Sequence, residues 1–445
     1  MFDLEPRVES LLAAAARGGV EAELYIQERR TVTQVMGQQG TERCLASEDR
    51  GAGIRAAARG RIGFAYTNDL SEEGLLACLE QASRGLAYGR PGQLPADRGP
   101  GSEVPGIADP RLLQYRAAEG QALLEAAAAR LAGGAHGVQL LEAVLTTAYQ
   151  RTYIASTTGI RAPEVGTWAN LSVRAAASRN GKIGIGWRRQ SVRTLAELSP
   201  QEVAGEAEAQ ALSGLEDGPA GQGRMPVILE PFPFASLLAT TLGSGLVEGT
   251  RLPLVEREGR VASALFSLTD NGRLPGGLAS RAADEEGIPT RETALIDGGR
   301  LVGCLRGSDR PDATGSARRR CVRWNTFLEP TGAYAYEPEP GPSNLVVAAG
   351  PGSLEELIAD TGEGLLVGGL IGVFATGPDI SVTTSRAWKI QGGRIAHPVG
   401  RTMLAGNFFE LLHNISGLAN DVRPVDGDIV VVSPSVRMED VMVVG

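Results

Sequence analysis

Histidine is almost missing from this 445-residue chain: His136, His397 and His413 are the three present, so the interval between His136 and His397 holds no imidazole for a metal. Lysine is scarcer still. Lys182 and Lys389 stand alone among 43 basic residues, and the arginine excess reads as coding bias that points to no partner. Cys44, Cys78, Cys304 and Cys321 have no C-x-x-C spacing, which argues against a zinc knuckle or a redox pair, and reduced thiols are the default. The longest apolar run, Gly364 to Gly377, is shorter than the roughly 20 residues a spanning helix needs and is rich in glycine, so no membrane segment is expected. A net charge of -9 argues against nucleic-acid binding through a basic face. The first residues, Met1-Phe2-Asp3-Leu4-Glu5, lack a basic stretch followed by an apolar core, so a cytoplasmic location is expected.

What is present suits a soluble globular chain: 42% hydrophobic and 21% charged residues, and a length that calls for two or three domains. Val8 to Ala16 has helical apolar spacing, Glu21 to Val35 and Gly51 to Tyr66 read as two strands, and Ser71 caps a following helix with acidic residues in its first turn. Gly, Pro and Asp dominate from Gly89 to Pro110, which places a boundary near residue 105. A long alanine-rich helix follows from Leu112 to Leu131, then strands at Val138 to Thr147, Arg151 to Ser156 and Trp168 to Ala176, with Asn180-Gly181 as a hairpin turn and a helix from Glu197 to Leu212. A second boundary falls near 220. Pro226 to Leu229 is a buried strand candidate, a helix follows from Pro233 to about Leu246, and many short β-like runs come after it, with a capping box at Ser353-Leu354-Glu355-Glu356. The expected fold is α+β: N-terminal mixed α/β domains at 1–105 and 106–220, then a domain at 221–445 with a large, curved, mostly antiparallel sheet.

Two blocks carry a family signature. Near the C-terminus stand Gly393-Arg394-Ile395-Ala396-His397-Pro398-Val399, Gly406-Asn407, Asn414-Ile415 and Asn420-Asp421; near the N-terminus stand Ala22-Glu23-Leu24-Tyr25, Gly51-Ala52-Gly53-Ile54-Arg55 and Gly63-Phe64-Ala65-Tyr66. In this order they resemble the TldD/PmbA family, whose PmbA branch is also called TldE. The metal-binding branch of that family has His-Glu-x-x-x-His after two apolar residues, and on the frame of Leu237-Leu238 the three positions fall on Ala239, Thr240 and Ser244. A catalytic zinc needs three protein ligands from His, Cys, Asp or Glu and an open position for water. Ala239 has no donor atom, Thr240 has no basic form near neutral pH, and Ser244 is a poor neutral ligand. The resemblance also implies a cysteine ligand near the C-terminus, yet no cysteine follows Cys321. No metal and no catalytic residue are therefore assigned to this chain.

Other features are weighed on both sides. Gly243, Gly245 and Gly249 do not match a dinucleotide fingerprint, because the third glycine is one position late; Ser244 lacks the five-residue elbow of an esterase nucleophile. Arg318, Arg319, Arg320 and Arg323 can grip a carboxylate or form a solvated basic loop. Arg323-Trp324-Asn325-Thr326 resembles a family element ending in Arg-x-Asn-Thr, which makes Arg323 and Asn325, with Asn407, Asn420 and Asp421, candidates for cleft support. His397 and His413 read as structural rather than as ligands.

The resemblance implies a PmbA/TldE-like subunit without metal that pairs with a TldD-like, zinc-bearing chain in a heterodimeric metallopeptidase, with self-association of the lone chain as a homodimer left open. It implies extended or unfolded peptides as substrates, with trimming of peptide precursors as a typical role, and the older family label, modulator of DNA gyrase, is not read here as DNA binding. The alternatives are a stand-alone hydrolase acting on a small peptide conjugate, recognisable by a convergent polar pocket, and a regulatory binding protein.

Overall fold

The structure is a computed structural model that describes residues 4–132, 137–215, 218–243, 245–247, 259–308, 312–319 and 332–445. The elements up to residue 215 are α1 (Glu5–Arg17), β1 (Glu21–Gly37), β2 (Gly40–Ala58), β3 (Arg61–Thr67), α2 (Glu72–Gly85), β4 (Arg90–Pro91), α3 (Pro110–Leu113), α4 (Ala117–Ala132), β5 (Val138–Ser156), β6 (Arg161–Arg179), β7 (Lys182–Val192) and α5 (Pro200–Ser213). Their strands form one sheet in the order β4-β3-β2-β1-β5-β6-β7. The boundary expected near residue 105 lies in a segment without helix or strand, yet β1 and β5 from its two sides pair antiparallel over fourteen registered positions, from Glu23 opposite Ser156 to Met36 opposite Ala143. The first two segments are therefore two halves of one sheet.

Alternation decides which face of this sheet is covered. Leu24, Ile26, Ala52 and Ile54 point to the side of α1 and α2, where they share a core with Val8, Leu11 and Leu75. Leu145, Leu171 and Val173 do the same under α4 and α5 with Leu124, Leu131 and Ala207. The opposite face carries Glu23, Tyr25 and Gln27 on β1 and Arg55 on β2, all buried, and it is met by residues of the C-terminal region.

Three readings need correction. Gly51 to Tyr66 is not one strand: β2 and β3 turn back at Arg59 and Gly60, whose φ values of 52° and 74° form a hairpin without the usual Asn-Gly signal. The alanine-rich helix is interrupted between α3 and α4, where the Tyr115 hydroxyl donates to Gln34 Oε1 (2.5 Å) and Gln34 Nε2 donates to the Ala117 carbonyl (2.9 Å). Val138 to Ser156 is a single long strand rather than two. Asn180-Gly181 does form the expected turn, with φ of 53° and 78°.

The C-terminal region comprises β8 (Gly223–Leu229), α6 (Pro231–Leu242), β9 (Leu268–Asn271), β10 (Glu292–Asp297), β11 (Arg300–Leu301), β12 (Ala317–Arg319), β13 (Pro338–Pro340), β14 (Asn344–Val347), α7 (Leu354–Thr361), β15 (Gly364–Thr376), β16 (Asp379–Gln391), β17 (Arg394–Val399), β18 (Met403–Asn407), α8 (Phe408–His413), β19 (Ile415–Leu418), β20 (Arg423–Val425), β21 (Val430–Ser433) and β22 (Val436–Val444). It is α+β with mostly antiparallel sheets, as expected, and among the described residues its strands form two larger sheets, one running β11-β10-β9-β14-β21-β20 and one β15-β8-β22-β18-β16-β17 with β19 beside β22, and a separate two-stranded ribbon β12-β13. The second sheet closes on itself because β15 pairs β8 along one edge and β16 along the other. The apolar run Gly364 to Gly377 is thus a barrel strand with its tip. One core joins both sheets and α6. The capping box at Ser353 and Glu356 is present, and among the described residues no helix is long and apolar enough to cross a membrane.

Candidate functional site

Helix α6 is where the family frame places catalysis, and its local physics explains its position. Pro231 supplies the preset φ at the first helical position, and Phe234, Leu237, Leu238, Thr241 and Leu242 recur at helical spacing, so one face is apolar. That face enters the core with Phe266 and Phe408, whose rings lie 6.3 Å from that of Phe234. The helix stops at Gly243, where a β-carbon would overlap the Ile429 side chain.

The substituted motif positions have no ligand chemistry. Ala239 is half-buried and packs against the core. Thr240 is exposed, and its hydroxyl donates to the Ser236 carbonyl at 2.8 Å within the same helix; Thr241 does the same to Leu237 at 2.6 Å. Ser244 lies outside the described residues, as do Arg320, Arg323 and Asn325. A zinc ion does not fit Ala239 and Thr240, since neither side chain is an imidazole, thiolate or carboxylate. No group of three or more His, Cys, Asp and Glu side chains stands together as a metal set among the described residues.

The remaining candidates are spread over separate joints of the C-terminal fold. Asn407 caps α8: its Oδ1 accepts from the Phe409 and Glu410 amides at 3.2 and 3.4 Å, while Nδ2 donates to Asp379 Oδ1 at 2.8 Å. Asp421 accepts from the Ser435 amide (2.8 Å) and hydroxyl (2.7 Å), tying the segment after β19 to the start of β22. Asn420 beside it is exposed. His397 shares a 3.2 Å hydrogen bond with the Pro219 carbonyl, and exposed His413 ends α8. None of these hydrogen bonds reaches a residue of α6.

A different constellation, which the sequence reading had not assigned, joins the N-terminal sheet to the C-terminal region. Arg55 is fully buried between two carboxylates: its Nε donates to Glu23 Oε1 at 3.0 Å, its Nη2 to the same carboxylate, and Nη1 lies 2.6 Å from Glu286 Oε1. Burial alone would depress this guanidinium, but the charges of Glu23 and Glu286 outweigh that and hold its pKa above the usual value. Arg281 pairs with Glu285 at 2.6 Å. Arg193 donates to the carbonyls of Gly277 and Ser280, both at 3.0 Å, and lies 4.4 Å over the Trp168 ring; burial pushes it down to about 9, with neighbouring Arg281 acting in the same direction. On the same face Tyr334 lies across β2, where β-carbons at Gly51 and Gly53 would overlap it, and its hydroxyl donates to Asp49 Oδ1 at 2.9 Å. The available signal was charge at alternating positions of apolar strands: Glu23 and Arg55 occur inside the family-like blocks.

Three domain profiles match most of the chain: PmbA/TldA metallopeptidase domain 1 at residues 22–85, the central domain at 110–215 and the C-terminal domain at 222–445. It is 28% identical over 403 residues to the Metalloprotease TldD homolog of Haemophilus influenzae, spanning 84% of this chain and 80% of that one. It is 25% identical over 445 residues to a Metalloprotease of Methanothermobacter thermautotrophicus, spanning 95% and 90%. In fold it is similar to the crystal structure of TldE from Thermococcus kodakarensis, with a TM-score of 0.86 and 19% identity over 99% of this chain and 100% of that one. With the sheet order, the motif helix and these matches together, the chain belongs to the PmbA/TldA metallopeptidase family, the TldD/PmbA family of its sequence blocks.

Proposed function

We propose that this chain is the TldE/PmbA-like subunit, without metal, of a cytoplasmic heteromeric metallopeptidase that trims or degrades unfolded peptides, and that a TldD-like partner brings the zinc. The observation that carries the reading is α6: its apolar packing and position are intact, while Ala239 has no donor and the Thr240 hydroxyl is engaged by its own helix. In such a complex this chain supplies fold and cleft rather than water activation. Extended peptides suit it because main-chain hydrogen bonding to a sheet edge gives affinity with little sequence preference.

The experiment is metal content and turnover of an unfolded peptide, measured for the chain alone and after co-expression with a metal-bearing family member. Zinc and turnover are expected in the co-complex and absent from the chain alone. Turnover by the purified lone chain, free of zinc, would overturn the reading.

A further inference from the structure

A cavity of about 250 Å³ opens where the three parts of the chain meet. Its floor is the C-terminal-facing side of the β5–β6 hairpin, where Thr152 stands directly opposite Glu164. Asp97, Gly99, Pro100 and Gly101 of the segment between β4 and α3 form one wall, and Arg281 to Asp284 of the C-terminal region form the other. The first wall is fastened to the hairpin by the Thr158 hydroxyl, which donates to the Pro95 carbonyl at 2.7 Å. The second is fastened by the Ala282 amide, which donates to Glu164 Oε2 at 2.7 Å. Ile154, Ile160 and Pro163 make the lining partly apolar.

The charges around this space are unbalanced. Both lining arginines already have a carboxylate: Arg161 pairs with Glu9 at 2.9 Å and Arg281 with Glu285 at 2.6 Å. The charge of Glu164 acts on both Arg281 and Arg193. Asp97 and Asp284 remain as excess negative charge; Asp284 is satisfied by the amides of Glu286, Ile288 and Ala317, whereas Asp97 accepts one bond, from the Gly99 amide at 2.9 Å, on Oδ1. Thr152 adds an independent observation. It is only 7% exposed and lines the cavity, and its hydroxyl, which takes part in no hydrogen bond with the described residues, is open to the cavity rather than sealed in the core.

We propose that this cavity is a subsite for a primary ammonium, specifically the free amino terminus of a peptide, with the Asp97 carboxylate and the Thr152 hydroxyl as acceptors and Ile154 and Ile160 against the first side chain. This deepens the peptide-handling reading and rests on it. An ammonium offers three donors and no acceptor, which matches acceptors in a negatively charged recess and excludes a peptide carboxylate. The space admits a chain end and no folded partner.

The test is calorimetric titration of the full-length chain, alone, with tetra-alanine, with N-acetyl-tetra-alanine, and with an N-acetylated tetrapeptide carrying one lysine. Tetra-alanine is expected to bind at least tenfold more tightly than its acetylated form, and Asp97→Asn, at an exposed loop position, is expected to abolish that preference. Thr152→Val is expected to reduce it about threefold in a protein whose thermal unfolding is otherwise normal. Equal binding of the free and acetylated peptides, no binding of either, or a preference untouched by Asp97→Asn would overturn the assignment. Tighter binding of the lysine peptide than of tetra-alanine would also overturn the amino-terminal assignment, placing a side-chain ammonium there. Because the titration needs neither zinc nor a partner, the subsite and the subunit reading can fail separately.

Discussion

Helix α6 and the junction below the N-terminal sheet differ in what holds them. The helix is fixed by apolar burial: Phe234, Leu237, Leu238 and Leu242 anchor it, half-buried Ala239 adds to the same core, and exposed Thr240 lies outside it. Such a helix can lose its chemistry and keep its place, since area removed from water is indifferent to the side chains on the opposite face. The junction is held by buried charge, Arg55 with Glu23 and Glu286, Arg281 with Glu285, and Arg193 against carbonyls and Trp168. There each group depends on its partner, because a buried ion left unpaired is costly. Catalytic residues can thus vanish from the first region silently, whereas the second tolerates no single loss.

The widest test of this contrast is Arg55→Met. It strands Glu23 and Glu286 together and is expected to destabilise the chain by about 3–5 kcal/mol, read as a lower urea midpoint; a change below about 1 kcal/mol would show that the junction is not held by charge. Next comes Leu238→Ala, which empties fully buried space under α6 and is expected to cost about 2–5 kcal/mol, confirming that apolar contacts position the helix. Gly53→Ala forces a β-carbon into the Tyr334 backbone; a loss of about 1–3 kcal/mol is expected, with a change in tyrosine fluorescence as the strap lifts. Asn407→Ala removes the α8 cap and is expected to cost about 1 kcal/mol, measurable by thermal unfolding and without effect on the ammonium preference. Thr240→Ala should do least, within about 0.5 kcal/mol, and should leave both zinc content and turnover of a co-expressed complex unchanged. A collapse of turnover with that last variant would mean that the motif helix still has a chemical duty.

Much of this was legible beforehand, and particular residues show why. Ser71, Ser353 and Asn180-Gly181 act through groups two or three positions away, so local reading located α2, α7 and the β6–β7 turn. The turn at Arg59-Gly60 escaped because its residues are not the usual ones for that geometry, and the break before α4 escaped because Gln34, from a distant strand, draws Tyr115 out of helical register. Asn407 and Asp421 stand out in the sequence only by family context; the fold binds their side chains to Asp379 and to Ser435.

The amino-acid sequence by itself determined the family, the α+β class and the absence of zinc donors at Ala239 and Thr240, because residue identity is enough to say which atoms can bind a metal. Only the tertiary structure decided that the first two segments share one sheet, that the C-terminal strands close into a ring, and that Asp97, Thr152 and Glu164 border one cavity with Arg281. Those facts arise from pairings between residues tens to hundreds of positions apart, whose partners are chosen by the burial of whole faces and by the charge each buried group must find.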